Sequence, residues 1–384
     1  MTPEAELVLA LCRTPLPDSE RNRAEKLCRS GIDWDMVLNL TAAWEVEPVV
    51  CANLRSLDIP GLPSHIRTRA ADRERESRAV ALARTLVLVA LAKELERAGI
   101  PVIVLKGPAV GVMAYGDPSM RTFHDMDFLV RAADTGRARD FLIGLGYQRD
   151  YESEAEETLI AGHHALEFSK GSSKVELHCA LVERHLRFEI ESDELWGSAV
   201  RIECAGGDIS VLSPPHLLLF LCAHGTKHEW SRLRWICDVA QLLPRVDADA
   251  AREVLALARR TRTRKILAVG LRLAHRILGA DLSLFPAGDL VREEDSEVIV
   301  ADVEQHLGLG AVKPSRVRWI DRAEPGAGSL LYWVAARESW VDRAASMARV
   351  IFIPTDKDRG VGPLRWIVRP ARLGLRFVRR SVQG

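Results

Sequence analysis

The amino-acid sequence predicts an α+β protein, a small mixed β-sheet flanked in the chain by N-terminal and C-terminal helical regions. Three observations carry this. Residues 1–99 are rich in helix formers and poor in β-branched runs. Strand-like runs, one helix and further strand-like runs then follow within about 80 residues. After Ser213-Pro214-Pro215 the helical pattern returns.

Asp33-Trp34 and Pro60-Gly61 mark turns in the first region. A helix is expected over 78–98, closed by Ala98-Gly99. PVIVLKG (101–107) is a short β-branched run that stops at glycine, as a buried strand does. Pro108 opens a short helix. DMDFLV (125–130) reads as a second strand, and RAADTGRARDFLIGLGY as an amphipathic helix closed by Gly144 and Gly146. HHALEFSKGSSKVELHCAL reads as a hairpin around Gly171-Ser172-Ser173. HLLLFLCAH, RLRWICDVAQLL and AREVLALARRTRTRKILAVGLRLAHRILG are helical, whereas 280–325 reads as loops with short helices. These shifts divide the chain into 1–99, a core over 100–212, a helical domain over 213–280, and a C-terminal loop and helix region over 281–384.

With 384 residues and 47% hydrophobic content the chain can bury a core of domain size. Its net charge of zero argues against coating nucleic acid along the whole surface, so any anion site is local. The seven cysteines show no C-x-x-C spacing, which suits a reducing compartment and excludes zinc-ribbon frameworks. The N-terminus lacks signal-peptide features, and the longest apolar stretch is interrupted by Arg84 and Lys93. The expectation is a cytoplasmic protein with no transmembrane segment.

Asp125 and Asp127 lie two apart on a strand, so their side chains share a face, about 6.5–7 Å apart along the backbone. Met126 and Phe128 point the other way, into a core. Crowded carboxylates repel, and a hard divalent cation relieves the repulsion. That is how phosphoryl-transfer sites hold one or two metals against a triphosphate. Taken alone, the pair also fits a solvated strand edge or a helix cap. Upstream, Lys106-Gly107 ends a strand where a helix begins, and glycine there lets backbone approach a phosphate. Arg121 either forks onto phosphate oxygens or pairs with a neighbouring aspartate such as Asp117. In KVELHCAL, Glu176 and His178 share one strand face, which makes Glu176 a third metal ligand or a general base.

LKGPAVGVMAYGDPSMRTFHDMDFLV resembles the core motif of an uncharacterised nucleotidyltransferase family within the polymerase-beta superfamily. V-E-L-H (175–178), HGTKHEWSRLRWICDVAQLL (224–243) and R-P-x-R (369–372) extend the likeness over roughly 80–380. The resemblance implies a nucleotidyltransferase core with Asp125, Asp127 and Glu176 as catalytic, metal-holding acids. It implies magnesium, one or two ions, and a nucleoside triphosphate, with ATP as donor. It also implies a small-molecule or peptide acceptor, because relatives are associated with peptide natural-product or polysaccharide pathways. The chain departs from the superfamily pattern in one place: Lys106 replaces a glycine, and no serine follows Gly107. Lys106, Gly107 and Arg121 are then the phosphate-binding candidates.

In superfamily members a helical domain closes over base and sugar. The cluster His224, Lys227, His228 and Trp230 is expected to do so here, with Lys227 on phosphate and Trp230 stacking on the base. The alternative is a helix junction in which Arg234 and Asp238 form an i,i+4 pair across from the apolar face of Leu233, Ile236, Cys237 and Ala240. His224 and His228 lack the glutamate of a zinc protease helix, and no G-x-S-x-G, Walker or Rossmann pattern occurs. His163-His164 opens a strand and reads as structural. The Arg-rich end, from Arg365 to Arg380, packs on the body by its apolar side or meets an acidic partner, RNA or a membrane surface; nucleic acid is the less favoured partner. The reading is a magnesium-dependent nucleotidyltransferase. The alternatives are a phosphotransferase on the same core and a non-catalytic nucleotide-binding scaffold.

Overall fold

The computed structural model describes residues 1–56, 62–151, 165–182, 188, 190–309, 332, 334–338 and 340–345. Pro60-Gly61, His163-His164 and the Arg-rich C-terminal segment lie outside the described residues.

Four short helices open the chain: α1 (Pro3–Ala10), α2 (Asp18–Cys28), α3 (Trp34–Ala43) and α4 (Glu47–Ser56). Thr2 and Asp33 cap α1 and α3 by accepting from the amides of Ala5 and Met36. The following helix, α5 (Ser64–Arg97), is 34 residues long rather than beginning at 78. Its first turns carry Arg and Glu where a core-facing helix carries apolar residues, because that half lies against α4 and the turn at 117–120. Arg55 and Arg78 both reach the buried Glu74, at 2.6 and 3.2 Å, and Arg78 also pairs with Asp117 at 2.7 Å. The second half presents Leu88, Val89, Leu91, Ala92 and Leu95 to the sheet.

The sheet contains β1 (Ile103–Val104), β2 (Met126–Leu129), β3 (Gln148–Arg149), β4 (Ala165–Lys170), β5 (Ser173–His178), β6 (Val200–Cys204) and β7 (Gly207–Val211). Their order is β3-β4-β5-β2-β1-β7-β6. Parallel pairs β2/β5 and β1/β7 sit beside antiparallel neighbours, so the sheet is mixed and the fold α+β, as the sequence predicts. The hairpin turns at Gly171. The β6/β7 hairpin is additional to the predicted strands, although VRIEC and DISV alternate in polarity. The first strand is shorter than its apolar run because the chain turns away at Lys106-Gly107. Between β1 and β2, α6 (Pro108–Val110) passes into a π-helical turn over Gly111–Tyr115. Helix α7 (Thr135–Gly144) follows β2, and α8 (Ser192–Gly197) precedes β6.

The second helical region comprises α9 (Pro214–Lys227), α10 (Leu233–Leu242), α11 (Ala248–Arg260), α12 (Arg264–Leu278) and α13 (Glu293–His306). The last of these, 14 residues long, falls where loops with short helices are expected; its Gly- and Pro-rich approach masked the signal. One apolar core joins α1–α4 to α9–α13. A second lies between the sheet, α5 and α7, and holds Met126 and Phe128. Period-two alternation therefore sends Met126 and Phe128 to one face of β2 and leaves Asp127 on the face toward the helical region. Among the described residues no helix is long and apolar enough to cross a membrane.

Candidate active site

The site forms where β5, β2 and β1 lie side by side. Glu176 is the register partner of Asp127 across the parallel β2/β5 pair, and the Leu105 amide donates to the Asp127 carbonyl at 3.1 Å. Lys106 thus leaves the end of β1 directly beside Asp127. Its Nζ lies 2.7 Å from Asp127 Oδ1, with Asp127 only 4% exposed. Asp125 immediately precedes β2 and is half-buried.

His178, two residues beyond Glu176 on the same face, completes the cluster. Its Nε2 lies 3.1 Å from Asp127 Oδ1 and 3.2 Å from Glu176 Oε2. Both neighbours are carboxylate oxygens, so Nε2 carries the proton and donates. Sequence reasoning placed His178 beside Glu176 but gave it no role; the spacing in V-E-L-H was the available signal.

The electrostatics follow from crowding three acids around one ammonium and one imidazole. Burial, then the charges of Asp127 and Glu176, push the Asp125 carboxyl up to about 6, against a smaller opposing pull from Lys106. Burial would also raise Asp127, but Lys106 and the bond from His178 outweigh it and hold Asp127 below its ordinary value. Glu176 is likewise lowered: the bond from His178 overcomes burial. His178 and Lys106, which burial alone would lower, are raised by the acids they face.

These residues fit a hard divalent cation. Carboxylate oxygens are the donors magnesium prefers, and a cation relieves the repulsion that lifts Asp125. The ligand atoms of Asp127, Glu176 and His178 lie within 4.8 Å of one another. His178 could ligate only by giving up its Nε2 proton, so the acids are the better match to magnesium.

Gly107 turns the chain after Lys106 at φ +59, a left-handed conformation, and a Cβ there would meet the Phe123 ring at 3.1 Å. Arg121 does not pair with Asp117. It is buried against Asp238 of α10, its Nε 3.0 Å from both carboxylate oxygens and an Nη2 contact at 2.9 Å. Tyr115 donates to the same carboxylate at 3.0 Å. Arg121 Nη1 makes no hydrogen bond among the described residues, and Asp127 acts electrostatically on Arg121.

The helical cluster differs from expectation in its aromatic. Trp230 is fully buried, packed on Gly225 and Gly270, where its ring edge lies 2.5 Å from the place a Gly225 Cβ would take. A ring enclosed in this way offers no face to a base, so the stacking role expected for Trp230 is withdrawn. The rest of the cluster is a stack of His228 on Trp235, centroids 5.2 Å apart, with His224 edge-on to Trp235 at 5.6 Å. Lys227 is half-buried at the end of α9. Burial, followed by the charges of Lys106, His228, Lys227 and Arg121, drives His224 well below its ordinary value, so it is neutral. The end of α9 therefore stands within electrostatic reach of Lys106 and Arg121. Nor do Arg234 and Asp238 pair along the helix. Asp238 is taken by Arg121, and Arg234 turns to Glu45 at 2.7 Å, because α10 is covered on both sides.

Residues 30–279 match the family described as uncharacterised nucleotidyltransferase. The chain belongs to this family. Among curated proteins nothing matches. One similar solved structure is an antigenic nucleotidyltransferase-like protein from Paracoccidioides brasiliensis, 17% identical, covering 49% of this chain and 92% of that one at a TM-score of 0.29. A likeness of that size adds nothing to the fold described above. Membership of this family supports a function in nucleotidyl transfer.

Proposed function

We propose that this protein is a magnesium-dependent nucleotidyltransferase that moves a nucleoside monophosphate from a triphosphate, ATP first, to a hydroxyl or similar group of a small molecule or peptide. The observation that carries it is the pairing of Asp127 and Glu176 across adjacent strands, with Asp125 just before β2 near enough to feel both charges, in a nucleotidyltransferase family member. These three acids would hold the metal, which supplies charge neutralisation for the triphosphate and the developing pyrophosphate.

The chain's own residues divide the remaining work. Lys106 keeps a positive charge against Asp127, at the edge the phosphates would approach. The Gly107 turn admits that approach without a side chain. Arg121 is held by Asp238 with Nη1 left for a phosphate oxygen, and Lys227 at the end of α9 adds a second cation. Glu176, the third of these acids, can accept the acceptor's proton as its hydroxyl attacks the α-phosphorus. The α-phosphorus then forms a bond to the acceptor oxygen as its bond to the pyrophosphate oxygen breaks. The free cysteines, six of them buried, accord with a cytoplasmic setting.

The test uses ATP labelled in the α- or γ-phosphate, incubated with magnesium, the full chain and a lysate of small molecules and peptides. Transfer of the α-label with pyrophosphate release is expected, and its loss in Asp125→Asn with Asp127→Asn. Transfer of the γ-label with nucleoside diphosphate release would make the protein a phosphotransferase. An active double variant would remove the acids from the mechanism, and absence of magnesium-dependent nucleotide binding would leave a scaffold.

A further inference from the structure

Given that metal-site reading, on which this inference rests, we infer that the Lys106 ammonium stands in for one of two cations, so that the site takes a single divalent ion with its nucleotide. Two-metal phosphoryl-transfer sites hold their ions about 3.5–4 Å apart and share ligand oxygens between them. The central acid here is Asp127, on the strand between β1 and β5. Its Oδ1 already accepts from Lys106 Nζ at 2.7 Å and from His178 Nε2 at 3.1 Å. A carboxylate oxygen offers two lone-pair sites, and both on Oδ1 are occupied. Asp127 Oδ2, Asp125 and Glu176 remain, a donor set for one hard cation.

Charge points the same way. Three carboxylates and one ammonium leave two negative charges, which one divalent ion neutralises. A second ion would meet a set of side chains already neutralised, with a buried ammonium at its edge, and would be held by the triphosphate's charge alone. Lys106 follows directly on Leu105, whose amide is tied to the Asp127 carbonyl at 3.1 Å, and its side chain is only 13% exposed. The lysine that replaces a glycine in the superfamily pattern thereby acquires a chemical role.

The experiment is equilibrium dialysis of the full chain with manganese and a non-hydrolysable α,β-methylene ATP analogue, counting bound manganese by electron paramagnetic resonance. One ion per chain is expected. Two would overturn the inference and leave the nucleotidyltransferase reading standing; none would overturn both. In Lys106→Ala, with folding checked by circular dichroism, the count is expected to rise from one to two. A folded variant that still binds one ion would show that Lys106 holds no cation's place. If the alanine variant does not fold, Lys106→Met answers the same question with the side-chain length kept, and the wild-type count decides independently.

Discussion

Replacing Asp238 with alanine removes the acceptor for Arg121 Nε and Nη2 and for Tyr115 Oη, contacts of 2.9–3.0 Å at a residue with no solvent exposure. Arg121, 3% exposed, would keep its charge without a partner. A buried charge stranded in this way costs about 3–5 kcal/mol. The orphaned Tyr115 hydroxyl adds roughly 1 kcal/mol. The expected loss is therefore about 4–6 kcal/mol, read as a fall in the urea midpoint by far-ultraviolet circular dichroism. Removing both charges should hurt less than removing one, because an apolar pair needs no counter-ion. Arg121→Met with Asp238→Leu is expected to recover about 2 kcal/mol relative to Asp238→Ala. A loss below about 1 kcal/mol in the single variant, or a double variant worse than the single, would refute the view of this ion pair as one interdependent unit. The pair spans 117 residues and ties α10 to the segment leading into β2, so nucleotide affinity should fall in parallel.

The remaining expectations concern the acids and two glycines. The Asp125 carboxyl, raised to about 6 from an ordinary 3.8, weakens the metal-free protein above that range; the cost appears as pH rises from 4 through 6. Asp125→Asn should accordingly stabilise the metal-free chain at pH 8 by about 1–3 kcal/mol and by nothing at pH 3.5, as thermal melts at the two values will show. Metal affinity of the wild type, by calorimetry, should fall as pH drops below about 6, where Asp125 takes up its proton. Gly225→Ala drives a methyl into the Trp230 ring and should cost about 1–3 kcal/mol in denaturant titration; an unchanged midpoint would mean Trp230 is not clamped there. Gly107→Ala, at φ +59 against Phe123, should cost about 1–3 kcal/mol and lower nucleotide affinity, both measurable on one preparation.

Local pattern was enough for much of this architecture. Alternation in DMDFLV and KVELH put Asp127 on one face and Met126 and Phe128 on the other, and both placements hold because a strand's side-chain period does not depend on its neighbours. The turn at Gly107 and the hairpin at Gly171 were legible for the same reason, as positions where the chain needs positive φ. The early start of α5 was not, since its charged first half is held by Arg55 and Asp117 rather than by an apolar stripe. Partner choice was also beyond the sequence. Nothing within a few residues of Arg121 indicates Asp238, nothing near Arg234 indicates Glu45, and Trp230 looks the same in a chain whether it faces a ligand or Gly270.

What the sequence by itself determined is which residues share a face and where the chain must turn, because these are set by backbone periodicity and by residues a few positions apart. Only the tertiary structure decided that β5 lies against β2, and with it that Glu176 and His178 meet Asp127 while Lys106 lies against its other side. Those contacts come from strand order and from burial between two cores, which couple residues dozens of positions apart. The chemistry of the site, three acids sharing one ammonium, exists only once that order is formed.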